Sequence, residues 1–334
     1  MMQAALPISS ERCRICGADG ARESSLHFLG KMLDSAEVFK DNRCRRCGFG
    51  WLTPRPTEKE LDALYGEKYF AAYSGASSNT TQDLPALTIL DRLRIKLAWT
   101  TDRGIDQVNE IERLMGSGSD NPSVCDIGCG NGDLLVRLKK AGRTLVGVEP
   151  DAAARERCRA SGIEVHSGRI EILPQEIAAN SQDVVIMSHV LEHCHEPMQA
   201  LTNAARVLNQ TGILVVEVPN AASFGSKYYG TSWYHADYGR HMNFFNERSL
   251  TLAMEKVGLT RVRVSYSQYV NQFKNEWISA QQNAFDKQRQ LGEIVPNALR
   301  DSKARSWKLL LKTLLAGPAS RYTCMRMIAQ KSLR

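Results

Sequence analysis

No apolar run in the chain approaches the length of a membrane span, and the N-terminus has no apolar signal segment. A cytoplasmic location is therefore expected. An even basic charge is also missing. Of the formal net charge of +7, residues 296–334 supply nine Lys or Arg against one Asp, so the remainder of the 334 residues sums to −1. Nucleic-acid binding calls for a basic stripe beside the site, so DNA is not an expected partner and RNA is disfavoured. A disulfide framework is lacking too. Of nine cysteines, four are paired at close spacing and five (125, 129, 158, 194 and 324) are scattered, which suits a reducing compartment. What remains is ordinary for a globular chain, 43% hydrophobic and 24% charged, and long enough for one large domain and a small one.

The stretch that organises the chain runs from Ser123 to Leu135: a short apolar strand, three alternating glycines, then a helix. Glycine lets the backbone turn sharply against a ligand, and the first turn of a helix offers free N–H groups. The dinucleotide fingerprint is absent, because its sixth position is Asp133 and the third glycine falls one residue early, at Gly132. An acid, Asp126, stands two residues before Gly128, where a pyrophosphate would be poorly received. Asp126-x-Gly128-x-Gly130-x-Gly132 resembles motif I of the class I S-adenosylmethionine (SAM) methyltransferases. The resemblance implies that this loop wraps the methionine and ribose parts of SAM, with the acid toward the amino-acid end. The next strand, Leu145–Val148, ends in Glu149, which in that family accepts from both ribose hydroxyls.

Around this motif strand and helix alternate, with strands expected near 123–127, 144–148, 163–166, 183–187, 212–218 and 260–265. Tyr322–Ala329 is the expected antiparallel edge strand. The fold class is thus α/β, a Rossmann-like, mostly parallel methyltransferase sheet with a small N-terminal zinc ribbon. The ribbon is placed at 1–53, a helical linker or lid at 54–115, and the SAM-binding domain with a basic helical tail at 116–334. Cys13-x2-Cys16 and Cys44-x2-Cys47, each followed by glycine, supply four thiolates for a closed tetrahedral zinc site with a structural role. Redox thiols or free cysteines are the alternatives. Apolar residues at helical spacing (Leu87, Leu90, Leu93, Leu97) mark a helical lead-in. A helix is expected over 58–65 and a mobile loop over 74–84.

Tyr65, Tyr69 and Tyr73, just after the second knuckle, resemble the tyrosine-bearing segment that closes over the nucleotide-sugar in the sugar C-methyltransferases. That resemblance makes Tyr69 a catalytic and Tyr73 a substrate-binding candidate, against simple packing between domains. Ile170 falls where the family meets adenine, but Arg169 replaces the usual acid and cannot accept a hydrogen bond. Ser188-His189-Val190-Leu191-Glu192-His193 resembles the strand-end motif of a wide family of small-molecule and glycan methyltransferases. It implies Ser188 and His189 beside the transferable methyl, with His193 either a base or a loop-orienting residue. Trp233, Tyr234 and Tyr238 offer stacking faces with polar tips suited to a sugar or base. Where the sugar C-methyltransferases carry Glu-His, this chain has Arg240-His241. His241 is the candidate general base, against a role capping the next helix, and Arg240 either lowers its pKa or clamps a substrate anion.

The expected activity is SAM-dependent methylation of a sugar, either a nucleotide-sugar or a lipid-linked surface glycan. O-methylation is favoured over C-methylation, since the carboxylate beside His241 is missing. An RNA base methyltransferase using the ribbon as a clamp and a non-catalytic SAM-binding scaffold are the alternatives. In the tail, Trp307, Leu310, Leu311, Leu314 and Leu315 share one helical face, with Arg305, Lys308 and Lys312 off it. Such a stretch either touches the inner face of a membrane or packs on the sheet.

Overall fold

The computed structural model describes residues 8–9, 12–23, 28–29, 38–55, 57, 87–115, 121–237, 240–290 and 302–332. Tyr69, Tyr73 and Tyr238 lie outside the described residues, as do the expected helix over 58–65 and the loop over 74–84.

The N-terminal part is a small antiparallel sheet: β1 (Ile8–Ser9), β2 (Ala21–Glu23), β3 (Phe28–Leu29), β4 (Val38–Cys44) and β5 (Gly50–Thr53). Two helices follow, α1 (Ile89–Thr101) and α2 (Gln107–Met115). Then comes the alternating core: β6 (Ser123–Ile127), α3 (Asp133–Leu138), β7 (Thr144–Val148), α4 (Ala152–Ala160), β8 (Glu164–His166), β9 (Gln182–Ser188), α5 (Pro197–Val207) and β10 (Leu208–Pro219). The final third adds α6 (Phe224–Tyr229), β11 (Asn243–Phe244), α7 (Glu247–Lys256), β12 (Leu259–Ser267), α8 (Asn275–Gln290), α9 (Ser302–Leu314) and β13 (Cys324–Lys331).

The large sheet has the order β12-β13-β10-β9-β6-β7-β8. β10, β9, β6, β7 and β8 run parallel, and β13 is antiparallel to both its neighbours. Strands packed on both faces need unbroken apolar runs, and Val184–Met187 and Ile213–Val216 supply them. All six strands expected before residue 270 are present. The last strand departs from its expected place. Residues 324–331 are antiparallel, but they lie inside the sheet, and β12 forms the edge. β13 is buried from Cys324 to Ala329 because it is covered on both sides by paired strands. Pattern alone shows that a strand is buried, not which strands flank it.

The chain starts the sheet at β6, works outward through β7 and β8, then returns to β9 on the other side. The reversal opens a crevice at the carboxyl ends of β6 and β9, where α/β sheets bind ligands. The small sheet joins this part directly. β11 pairs with β5 (Asn243 with Trp51, Phe244 with Gly50), and Phe49 and Trp51 belong to the same buried cluster as Val185, Met187 and Val216. No described helix is long and apolar enough to cross a membrane.

Candidate active site

The glycine loop after β6 is shaped by backbone conformation. Gly128, Gly130 and Gly132 have φ of 75°, 54° and 83°, a left-handed region that side chains disfavour. A Cβ on Gly128 would stand 2.5 Å from Val190 Cγ2, whereas one on Gly130 would meet nothing within 4 Å. The loop is thus pinned on one side and open on the other. Glu149, at the end of β7, is buried and accepts from Gly130 N and Asp151 N, both at 2.9 Å. Asp126, at the end of β6, is also buried. Burial, reinforced by the charge of Glu149, pushes its carboxyl up to about 8. Two buried carboxylates flanking a glycine loop suit a cationic, diol-bearing ligand. Five of the residues expected to hold SAM, Asp126, Gly128, Gly130, Gly132 and Glu149, come together here.

The Ile170 side chain is in the core and its carbonyl accepts from Asn203 Nδ2 at 2.7 Å. The Arg169 N–H and carbonyl are likewise closed on Ile172.

Beyond Ser188, at the end of β9, four histidines gather. His189 has a left-handed φ of 56° and sits between two acids: Nδ1 is 3.0 Å from Glu192 Oε1, and Nε2 is 3.7 Å from Glu217 Oε1. Burial would lower its pKa, but Cys324, Glu192 and Glu217 outweigh it and raise the pKa well above the ordinary value. His193 and His241 behave oppositely. Their rings meet edge to face at 4.5 Å. His193 Nδ1 donates to the Arg240 carbonyl at 3.1 Å and His241 Nδ1 to the His235 carbonyl at 2.8 Å. Burial and their mutual repulsion lower His193 to about 3; burial chiefly lowers His241 to about 4. Both imidazoles are neutral, with the Nδ1–H engaged and the lone pair on Nε2.

Two expectations are corrected here and one is refined. Arg240 does lower the pKa of His241, as expected, but burial is the larger cause, and Asp237, which pairs with Arg240, acts in the opposite direction. His241 does not cap the next helix. Asn246 does, accepting from Ser249 N at 2.9 Å in a capping box. Trp233 is no open stacking face; it is buried against Tyr229 and donates Nε1–H to Thr323 Oγ1 at 3.2 Å. Tyr234 instead stacks on Trp277 at 4.0 Å, 4° from parallel.

Sequence reasoning missed Glu192, Glu217, His235, Gln268 and Cys324 as site residues. His235 stacks on His189 at 5.9 Å, its Nε2 is 3.4 Å from Cys324 Sγ, and Gln268 Nε2 reaches His189 at 3.0 Å. Glu217 and Gln268 lack any local motif, but Glu192 stands inside the strand-end motif itself.

The ribbon's four cysteines converge. Cys13 and Cys47 sulfurs are 3.6 Å apart, and Cys16 and Cys44 3.5 Å. Tetrahedral zinc with Zn–S near 2.3 Å needs about 3.8 Å between sulfurs, so the donor set fits. Both knuckles repeat one turn: Cys16 N points to Cys13 Sγ and Cys47 N to Cys44 Sγ, with Gly17 and Gly48 left-handed. The five scattered cysteines are buried, and burial raises all their thiols.

Residues 105–264 match the family model described as a methyltransferase domain. Over 103 residues the chain is 31% identical to a probable S-adenosylmethionine-dependent methyltransferase of Mycolicibacterium smegmatis, covering 30% of this chain and 39% of that protein. It is 26% identical over 106 residues to a ubiquinone biosynthesis O-methyltransferase of Actinobacillus pleuropneumoniae, covering 29% and 45%. The chain thus spans less than half the length of these curated relatives. A solved methyltransferase structure from Bacillus halodurans, titled putative, is 15% identical with a TM-score of 0.48 over 68% of this chain and 99% of that one. Residues 105–264 thus carry a methyltransferase domain, and the strand order and glycine loop described above fall within it or continue from it.

Proposed function

We propose that the chain transfers the methyl group of SAM to a sugar hydroxyl, on a nucleotide-sugar or a lipid-linked glycan. SAM, when bound, supplies an electrophilic methyl on a sulfonium. The chain's own work is to align the acceptor with it and to remove one proton. Asp126, Glu149 and the three glycines would hold the cofactor.

The observation that carries the reading is the neutral His193–His241 pair beyond the β9 end. With Nδ1–H spent on a backbone carbonyl, His241 presents Nε2 as an acceptor for a hydroxyl proton. Gln268, whose side-chain amide lies 3.0 Å from His189, adds a donor and an acceptor to the histidine cluster. A wall of donors and acceptors suits a polyol better than an apolar ring. O-methylation is favoured because Arg240, paired with Asp237, stands directly before His241 in place of an acid; another carboxylate, Glu192, comes within 4.8 Å of the His193 and His241 nitrogens from a different segment. The four cysteines hold a structural zinc, which fixes the ribbon against β11.

The test is incubation with methyl-labelled SAM and a matching cell extract, followed by separation of nucleotide-sugars, lipid-linked glycans and RNA. Label in sugars that is stable as an O-methyl ether and lost in His241→Ala is expected. Label in RNA would overturn the reading, and label in neither fraction with SAM still bound would leave a scaffold.

A further inference from the structure

Helix α1 is built inside out. Its inner side is polar: Asp91 and Arg94 are 1% and 0% exposed and pair at 3.0 Å. Arg94 also donates to the Phe273 carbonyl and Asn275 Oδ1, and Lys303 of α9 reaches Asp91 at 3.2 Å. The outer side carries the apolar residues. Ile89, Leu93 and Leu97 recur every four positions with Leu90 beside them, and Ile89 and Trp99 are 85% and 70% exposed. On α9, joined to α1 by that Lys303 bridge, Leu311 also faces outward, as does Leu315 just past its end, while Leu309 and Leu310 are buried. A single exposed leucine needs no explanation; five large apolar side chains on one helix do.

Charge narrows the occupant. Arg92 and Lys96 are exposed among the apolar row, and Lys308 is exposed on α9. The only acid in either helix is the buried Asp91. A second copy of this chain would set Arg92 and Lys96 against like charges. An anionic bilayer answers both features, taking the apolar side chains below its headgroups and the cations at them. Trp99 at the rim has the amphipathic ring that favours that boundary.

We propose that the outer face of α1, extended by α9, docks the enzyme on an anionic lipid surface. The docking surface expected in the tail alone thus falls mainly on the helix before the methyltransferase domain. Vesicle binding is read without turnover, so it succeeds or fails independently of the methyl acceptor.

The full chain should be co-sedimented with vesicles of phosphatidylcholine alone and with one-third phosphatidylglycerol, at low and high salt. Binding to the anionic vesicles only, weakened by salt, is expected. Trp99, the one exposed tryptophan among the described residues, should shift its emission to the blue, and Trp99→Phe should remove the shift. Leu93→Asp with Leu97→Asp should weaken binding at least roughly tenfold, and Arg92→Glu with Lys96→Glu roughly tenfold on anionic vesicles. These positions point to solvent, so far-UV circular dichroism and SAM binding should stay unchanged. Absence of binding at low salt, or binding that both pairs leave intact, would overturn the proposal. Concentration-dependent self-association abolished by the leucine pair would also overturn it, by assigning the face to a second copy.

Discussion

At the scale of single residues, the site rests on titratable groups driven in opposite directions. His241 is neutral because it is buried, with Nδ1–H fixed by the His235 carbonyl. Removing it as His241→Ala should lower kcat by about 10²–10⁴-fold, the usual worth of a positioned base, with SAM affinity unchanged by calorimetry. With its pKa held near 4 rather than 6.5, the acid limb it imposes on kcat should begin near pH 4–5. Asp126 is the reverse case. Raised to about 8, it is mostly protonated at neutral pH in the free protein, while a cationic ligand favours its ionised form. SAM affinity should therefore rise as pH increases from 6 to 8, with proton release, and Asp126→Asn should flatten that dependence. Calorimetry in buffers of different ionisation enthalpy reads both.

At the scale of elements, the four-cysteine ribbon and the segment after His241 share hydrogen bonds. β11 pairs with β5, and Asn246, which caps α7, also donates Nδ2–H to the Cys47 carbonyl at 3.2 Å. Arg55 reaches Asn243 Oδ1 at 2.9 Å. Asn246→Ala should cost about 1–2 kcal/mol in denaturant unfolding, since it removes a helix cap and a ribbon contact together. Stripping the metal with a chelator should lower the melting temperature and turnover together, and metal analysis should return one zinc per chain. Cys44→Ser should reproduce both losses.

At the scale of the whole molecule, a buried ionic chain links the sheet's back to the site. Glu110 of α2 meets Arg326 of β13 at 2.7 Å, Arg326 pairs with Glu217 of β10, and Glu217 faces His189. Burial would raise Glu217, but His189 and Arg326 outweigh it and bring the carboxyl down to about 2. Arg326→Met would remove the cation shared by two buried carboxylates, leaving Glu217 to His189 and Ser267 and Glu110 to Arg263 and Ser265, and should cost about 3 kcal/mol. Glu217→Gln with Glu110→Gln in that background should recover much of the loss. His189 would also lose a counter-ion in the combined variant, which a shift of its titration toward ordinary values, followed by NMR, would show.

Local chemistry made much of this legible in the sequence. Three glycines flanked by acids, two C-x2-C knuckles and apolar runs of strand length each dictate a backbone conformation or a donor set from adjacent residues. The cofactor loop, the cysteine cluster and six of seven strand positions followed. The tertiary structure alone decided what depends on residues distant in sequence. It placed β13 inside the sheet, brought Glu217, Gln268 and Cys324 to His189, and buried Trp233 against Thr323. It also turned α1 over, because the partners of Asp91 and Arg94 come from residues 273, 275 and 303. Helical periodicity locates the apolar face of α1; only those buried polar partners decide that it points outward.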